Sequence, residues 1–121
     1  MPRDPRDAAI SDAVRLRHML DAARAVASFI QGKAENDLRG DLLLLFGVVK
    51  AIEIVGEAAR CVSDETRAML PELPWEQIVG MRHRVIHVYF DIEPRIVWDT
   101  ATIDLPPLVA VLERYLKGRG G

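Results

Sequence analysis

Cysteine is almost missing from this chain. Cys61 is the only one in 121 residues, which excludes an intrachain disulfide framework. Its setting in an apolar helical run predicts a buried small residue. Aromatic residues are few, at 6%, and no apolar run approaches the roughly 20 residues that a membrane span requires. The greasiest stretch, Leu42 to Val49, is soon interrupted by Lys50, Glu53 and Glu57, so no membrane association is expected. No apolar segment of the secretory kind follows the charged start Met1 to Asp7, and a cytoplasmic location is expected. A strong charge bias is lacking too. The formal net charge is −2, so any affinity for nucleic acid has to come from a local patch. Glycine-rich phosphate loops, paired cysteines, an HExxH pair and a GxSxG elbow are absent, which removes the usual signatures of nucleotide, zinc and serine-hydrolase chemistry. The acidic residues are scattered along the chain without an evident two-metal cluster.

Half of the residues are hydrophobic, and Ala, Leu, Val, Glu and Arg dominate. A chain of this length can close one core, so residues 1–121 are expected to form a single all-α domain with loose ends at 1–6 and 117–121. The first helix is expected from Asp7 to about Gln31, stopped by Gly32. Its apolar face would carry Ile10, Val14, Met19, Leu20, Ala23, Val26, Ala27 and Ile30. His18 reads as a solvated helix histidine. A second long helix is expected from Asn36 to Val62. Its Leu42–Val49 stretch is apolar all round, as in a helix covered on more than one side, and a second subunit could supply that cover.

Beyond it, Lys50, Glu53, Glu57 and Arg60 form a polar stripe. That stripe is either a solvated face with Lys50–Glu53 and Glu57–Arg60 pairs, or the wall of a cleft that positions Arg82 or His87. Gly56 inside this helix costs about 1 kcal/mol relative to alanine, and close approach of another helix would account for it. Ser63 can open a short turn, and Pro74-Trp75 can start the third helix. That helix is expected to break between His87 and Asp91. Asp91 would then cap a fourth, which presents Ile96, Val97, Trp98, Ile103 and Leu105 and is kinked or restarted at Pro106-Pro107. An antiparallel up-and-down bundle of four long helices with short extra turns is the simplest architecture.

The chemistry concentrates between Gly80 and Trp98, where Arg82, His87 and Tyr89 are spaced as RxxxxHxY. Imidazole can move a proton and guanidinium can hold a phosphate, a combination suited to phosphodiester cleavage without a metal. In a regular helix Arg82 and His87 would project about 140° apart, so one site needs either a helix break near His87 or a second copy of the motif. A plain reading is equally open: Arg82 and Arg84 solvated or salt-bridged, His87 a helix-end cap, Tyr89 a core aromatic.

The pattern Gly80-Met81-Arg82-x-Arg84-x-x-His87-x-Tyr89-Phe90, followed by Ile96-Val97-Trp98 and Asp104-Leu105-Pro106, closely resembles the HepT-like toxins of the HEPN superfamily. Ile54-Val55-Gly56-Glu57-Ala58-Ala59 fits the same family's second long helix, and the likeness covers about residues 10 to 116. The resemblance implies a homodimeric helical bundle with a composite cleft at the dimer interface. It implies a metal-independent ribonuclease without a cofactor, acting on an RNA such as tRNA or mRNA. The partner implied is a minimal nucleotidyltransferase antitoxin that transfers AMP onto the motif tyrosine.

Carried over by residue, Arg82 and His87 are the catalytic pair and Tyr89 the AMP acceptor. His83, Arg84, Glu57 and Lys50 are supporting candidates, and no metal ligand is implied. His83 departs from the family, where an asparagine is usual, and its role is left open. The mechanism that follows has the 2′-OH attack the adjacent phosphorus while His87 moves the proton and Arg82 stabilises the non-bridging oxygens. The products would be a 2′,3′-cyclic phosphate and a 5′-OH. Imidazole groups titrating near about 6.5 predict a bell-shaped pH profile. The rival class is a non-catalytic HEPN-like adaptor that binds nucleotide, RNA or the nucleotidyltransferase.

Overall fold

The computed structural model describes residues 5–86 and 92–118. Among the described residues the regular elements are all helices, with one isolated antiparallel bridge between Ile86 and Ile92. Helix α1 runs Pro5–Ile30, two residues earlier than expected, and ends where Gly32 takes φ +73, a left-handed conformation natural to glycine. Its buried face carries Leu16, Met19, Leu20, Ala23 and Val26. Val14, expected on that face, is exposed. It precedes Leu16 by two residues, about 200° around the helix, and so points away from the core.

The second helix is broken where an uninterrupted run was expected. Helix α2 spans Glu35–Gly40 and α3 spans Leu42–Arg60. Asp41 between them is extended, and its carboxylate accepts a hydrogen bond from the Leu44 N–H at 3.1 Å. The Gly40-Asp41 pair thus acts as a stop followed by an N-cap. Helix α3 is the central element: it packs on α1 along most of its length and carries Val48, Ile52 and Val55 fully buried.

Ser63 caps the short α4, Asp64–Ala68, by accepting from the Thr66 N–H at 3.2 Å. The Asp12 carboxylate of α1 in turn accepts from the Ser63 N–H at 3.1 Å, the Ser63 hydroxyl at 2.6 Å and the Thr66 hydroxyl at 2.7 Å. The start of α1 is thereby latched to the connector that follows α3. Cys61, expected to be buried, is only half-buried, because it is the C-cap of α3 and lies where the helix leaves the core.

Helix α5, Trp75–Val79, is separated from α6, Met81–Val85, by Gly80. The helical run stops at Val85, earlier than the break expected between His87 and Asp91, since Ile86 already has φ −124 and ψ 108. Helix α7, Pro94–Asp99, places its proline at N1, with Glu93 as N-cap. Asp91, the expected cap, lies outside the described residues, as do Phe90, Tyr89 and His87. A wide π-helical turn over Thr100–Asp104 leads into α8, Leu105–Gly118.

The kink or restart expected at Pro106-Pro107 is not a restart: the chain stays helical from Pro94 to Gly118, and the disturbance is the π-helical turn just before the prolines. Both prolines follow directly on that turn, where the widened backbone accommodates their missing N–H groups. Thr100 and Thr102 return their hydroxyls to the carbonyls of Ile96 and Trp98, each at 2.8 Å, as side chains do where a helix bends. Ile103, expected in the core, projects from this widened turn and is exposed. Leu105, Leu108 and Leu112 of α8 close one continuous core with α1 and α3. Lys117, assigned to the loose end, is still within α8. Among the described residues no helix is long and apolar enough to cross a membrane.

Candidate functional site

The site begins with an absent side chain. Gly56 is buried in α3, and a Cβ there would stand 3.2 Å from the Ile78 carbonyl oxygen and 3.4 Å from that of Val79. Glycine lets the backbone of α5 rest directly on α3, the close approach its placement predicted. Gly80 then turns the chain into α6, whose Met81 and Val85 are buried while Arg82, His83 and Arg84 are exposed.

This packing sets Arg82 over the polar stripe of α3. The Arg82 Nε–H donates to the Glu53 carboxylate at 3.3 Å. Glu53 is largely covered, its side chain 27% exposed, while the Arg82 side chain remains 56% exposed. The local Lys50–Glu53 pair is replaced by this contact between helices. The Glu57–Arg60 pair forms as expected, with nitrogen–oxygen distances of 2.6 and 3.3 Å. The hydrogen bond from Arg60, then its charge, holds the Glu57 carboxyl below the usual carboxylate range, and Glu57 raises the Arg60 guanidinium in the same order.

A groove of about 760 Å³ runs between α1, α3 and the α5–α6 pair. Lys50, Glu57, Arg82 and His83, all anticipated from sequence, line it together. Glu53, Arg60, Arg15 and His18 line it as well. None of those four was named as a site residue, although Glu53 and Arg60 belong to the stripe that was read as a possible cleft wall. His18, read as a solvated histidine, is exposed and forms part of the wall. Arg15 and His18 had no local signal, because their relation to the site arises from the packing of α1 on α3.

Arg84 goes elsewhere. Its guanidinium donates to the Asp104 carboxylate at 2.8 Å, tying α6 to the π-helical turn and lining a separate hollow beside Met81 and Ile103. His87 and Tyr89 lie outside the described residues. They fall in sequence between Ile86 and Ile92, whose bridge brings the two ends of that segment together beside α6. Among the described residues no three His, Cys, Asp or Glu side chains converge as metal ligands do.

Residues 19–115 match the family model described as "Ribonuclease HepT-like". The chain belongs to the HepT-like ribonuclease family. A protein of Thermococcus cleftensis named "Probable ribonuclease HepT" is 30% identical over 102 residues, 84% of this chain and 93% of its own length. A "Putative RNase" of Methanocaldococcus jannaschii is 31% identical over 98 residues, 81% of this chain and 90% of that one. Another "Putative RNase", from Caldanaerobacter subterraneus, is 31% identical over 102 residues, covering 84% and 91% respectively. No solved structure gives a significant match.

The arrangement can receive an anion. A guanidinium fixed at one nitrogen by a shielded carboxylate keeps its orientation at low entropic cost, and its exposed remainder can receive a phosphate. Lys50, Arg60 and Arg15 beside Arg82 leave the groove slightly positive, because three carboxylates, Glu53, Glu57 and Glu76, line it too.

Proposed function

We propose that this protein is the toxin of a toxin–antitoxin pair, a metal-independent endoribonuclease that cuts RNA in the groove beside Arg82. The observation that carries the reading is the placement of Arg82 in a chain of a ribonuclease family: anchored by Glu53, half open to solvent and flanked by further cations. Arg82 holds the scissile phosphate and stabilises charge on its non-bridging oxygens. His87 moves the proton as the 2′-oxygen bonds to phosphorus and the bond to the 5′-oxygen breaks. The 2′-hydroxyl loses its proton, the leaving 5′-oxygen gains one, and a 2′,3′-cyclic phosphate and a 5′-OH result. His83 stands in the same groove as Arg82 and contacts the substrate strand there. Arg84 acts at a distance, by holding α6 against the π-helical turn.

The working unit is a homodimer whose two motifs share one cleft, so that one histidine acts as base and the other as acid. Support for a second copy comes from the α3 face that continues the site. Leu42, Leu43 and Phe46 are 63%, 85% and 51% exposed, an apolar stripe that leads along the helix to Lys50 and Glu53. Regulation falls on Tyr89, to which a minimal nucleotidyltransferase antitoxin transfers AMP, placing an anion where substrate phosphate binds.

The test is cleavage of an end-labelled RNA in excess chelator by the wild-type protein, His87→Ala and Arg82→Ala. Cleavage by the wild type alone, leaving cyclic phosphate ends, is the expected result. An equally active His87→Ala protein, or activity lost on chelation, would overturn the mechanism. Mass spectrometry of the protein after incubation with a nucleotidyltransferase and ATP reads the modification as AMP increments on the Tyr89 peptide.

A further inference from the structure

We infer that a second basic groove, between α1 and α8, is an RNA-backbone track that continues the candidate site and holds the substrate strand away from the point of cleavage. The inference rests on the ribonuclease reading and extends it to how the strand is gripped. The groove measures about 870 Å³ and is lined by Arg17 and Arg24 of α1 and by Arg114 and Lys117 of α8. One carboxylate, Glu113, lines it too, and accepts from Arg24 at 2.6 Å. Outside the groove Glu72 approaches Arg114 at 3.7 Å, with side-chain exposures of 55% and 72%, and Asp21 is exposed on α1. Among lining side chains, four cations face one carboxylate here, against four cations and three carboxylates in the Arg82 groove. Arg24 and Arg114 each share their charge with a carboxylate, and Lys117 adds a further positive charge at the end of α8. A local surplus of positive charge attracts a polyanion.

The two grooves flank a common hollow on α1. His18 lines the Arg82 groove and also this small hollow. Arg17 and Leu116 line that hollow and the α1–α8 groove alike. Arg15 and Arg24 are about 14 Å apart along α1 and about 180° apart around it, so the strand would pass around the outer side of α1, by His18 and Arg17, a path suited to successive phosphates rather than one. The lining of the α1–α8 groove contains no aromatic ring, so bases find nothing to stack on. Contact falls on the phosphates and tolerates any sequence. The occupant that fits is a single RNA strand entering or leaving the cleft.

The experiment measures binding of a 2′-O-methyl oligouridylate of about twenty nucleotides, longer than the roughly 4–16 that a compact single-strand binder covers. Without a 2′-hydroxyl the probe stays whole whatever the protein's activity. Arg114→Gln/Lys117→Gln should bind about tenfold more weakly at moderate salt. Its log–log salt dependence should be shallower by about 1.4, for two phosphate contacts at about 0.7 each. Arg114→Lys/Lys117→Arg should restore both.

Equal affinity and slope for the wild type and the Gln pair would overturn the track, and is also the outcome if the groove serves an acidic protein surface instead. Failure of the ribonuclease reading looks different. The wild-type protein would then leave ordinary RNA uncut while the binding contrast between variants persisted.

Discussion

Arg82 and Glu53, 29 residues apart in sequence, meet at 3.3 Å between α6 and α3. The contact is made through Nε, one side of the guanidinium, and the carboxylate is the more covered partner. An ion pair this exposed contributes little to stability, about 0–1 kcal/mol. Its consequence is orientation: a flexible arginine is given one direction at the rim of a groove.

Glu53→Gln should therefore leave folding nearly unchanged while misaligning Arg82. The expected effect is about a tenfold fall in kcat for RNA cleavage, as positional errors at a reacting group produce, with a melting temperature close to that of the wild type. Steady-state kinetics beside a thermal melt separates the two. A normal kcat would mean that Arg82 needs no anchor.

Gly56→Ala tests the contact that brings α5 and α6 onto α3. The added methyl would meet two backbone carbonyl oxygens at 3.2 and 3.4 Å, neither of which can swing aside as a side chain can. Overpacking costs about 1–3 kcal/mol and outweighs the roughly 1 kcal/mol gained in helix propensity. A net loss of about 1 kcal/mol in urea unfolding is expected, together with reduced cleavage as Arg82 shifts. An increase in stability would show that α5 yields easily.

The part of this site visible in sequence was the part written locally. Gly32, Ser63 and Pro74 announced their boundaries, because caps and stops are set by a few adjacent residues. Gly56 could be read as a close approach, since a glycine inside a helix needs a reason. The partner of Arg82 could not be read. Within α3, Glu53 has Lys50 one turn away, and only the packing of α5 on Gly56 decides that Arg82 takes it. The break at Gly40-Asp41 went unread, although a glycine followed by a capping carboxylate is a local signal. Arg15 and His18 carry no motif, and enter the groove because α1 lies along α3.

Asp12 is the stability hinge of the molecule. Its carboxylate receives the Ser63 N–H and the hydroxyls of Ser63 and Thr66, and it is only 8% exposed. Asp12→Ala removes charged hydrogen bonds and leaves their donors without that acceptor, a loss of about 3 kcal/mol. Urea unfolding should show it, with cleavage per folded molecule preserved. A change under about 0.5 kcal/mol would mean that water replaces the latch.

Glu57 supplies a pH signature. Because Arg60 depresses its folded-state pKa, the contribution of the pair to stability is present above the ordinary carboxylate pKa. It fades as pH falls through the depressed one. The pair is fully exposed, so the effect on melting is small and is better read directly. In Arg60→Gln the Glu57 carboxyl should titrate higher, back toward its ordinary value, in side-chain NMR. An unmoved midpoint would assign the depression to other charges.

The apolar stripe on α3 gives the dimer its test. Leu43 is 85% exposed and Phe46 is 51% exposed, and among the described residues neither belongs to the core cluster. A second copy laid on this face would desolvate both, and a carboxylate placed there would be buried against apolar surface at a cost of several kcal/mol. Leu43→Glu/Phe46→Glu should convert a dimeric wild type into a folded monomer in light scattering. If cleavage needs motifs from both copies, the monomer should lose it even though Arg82 and His87 are intact. A wild type that runs as a monomer, or a monomeric variant with full activity, would show that each chain carries a complete site.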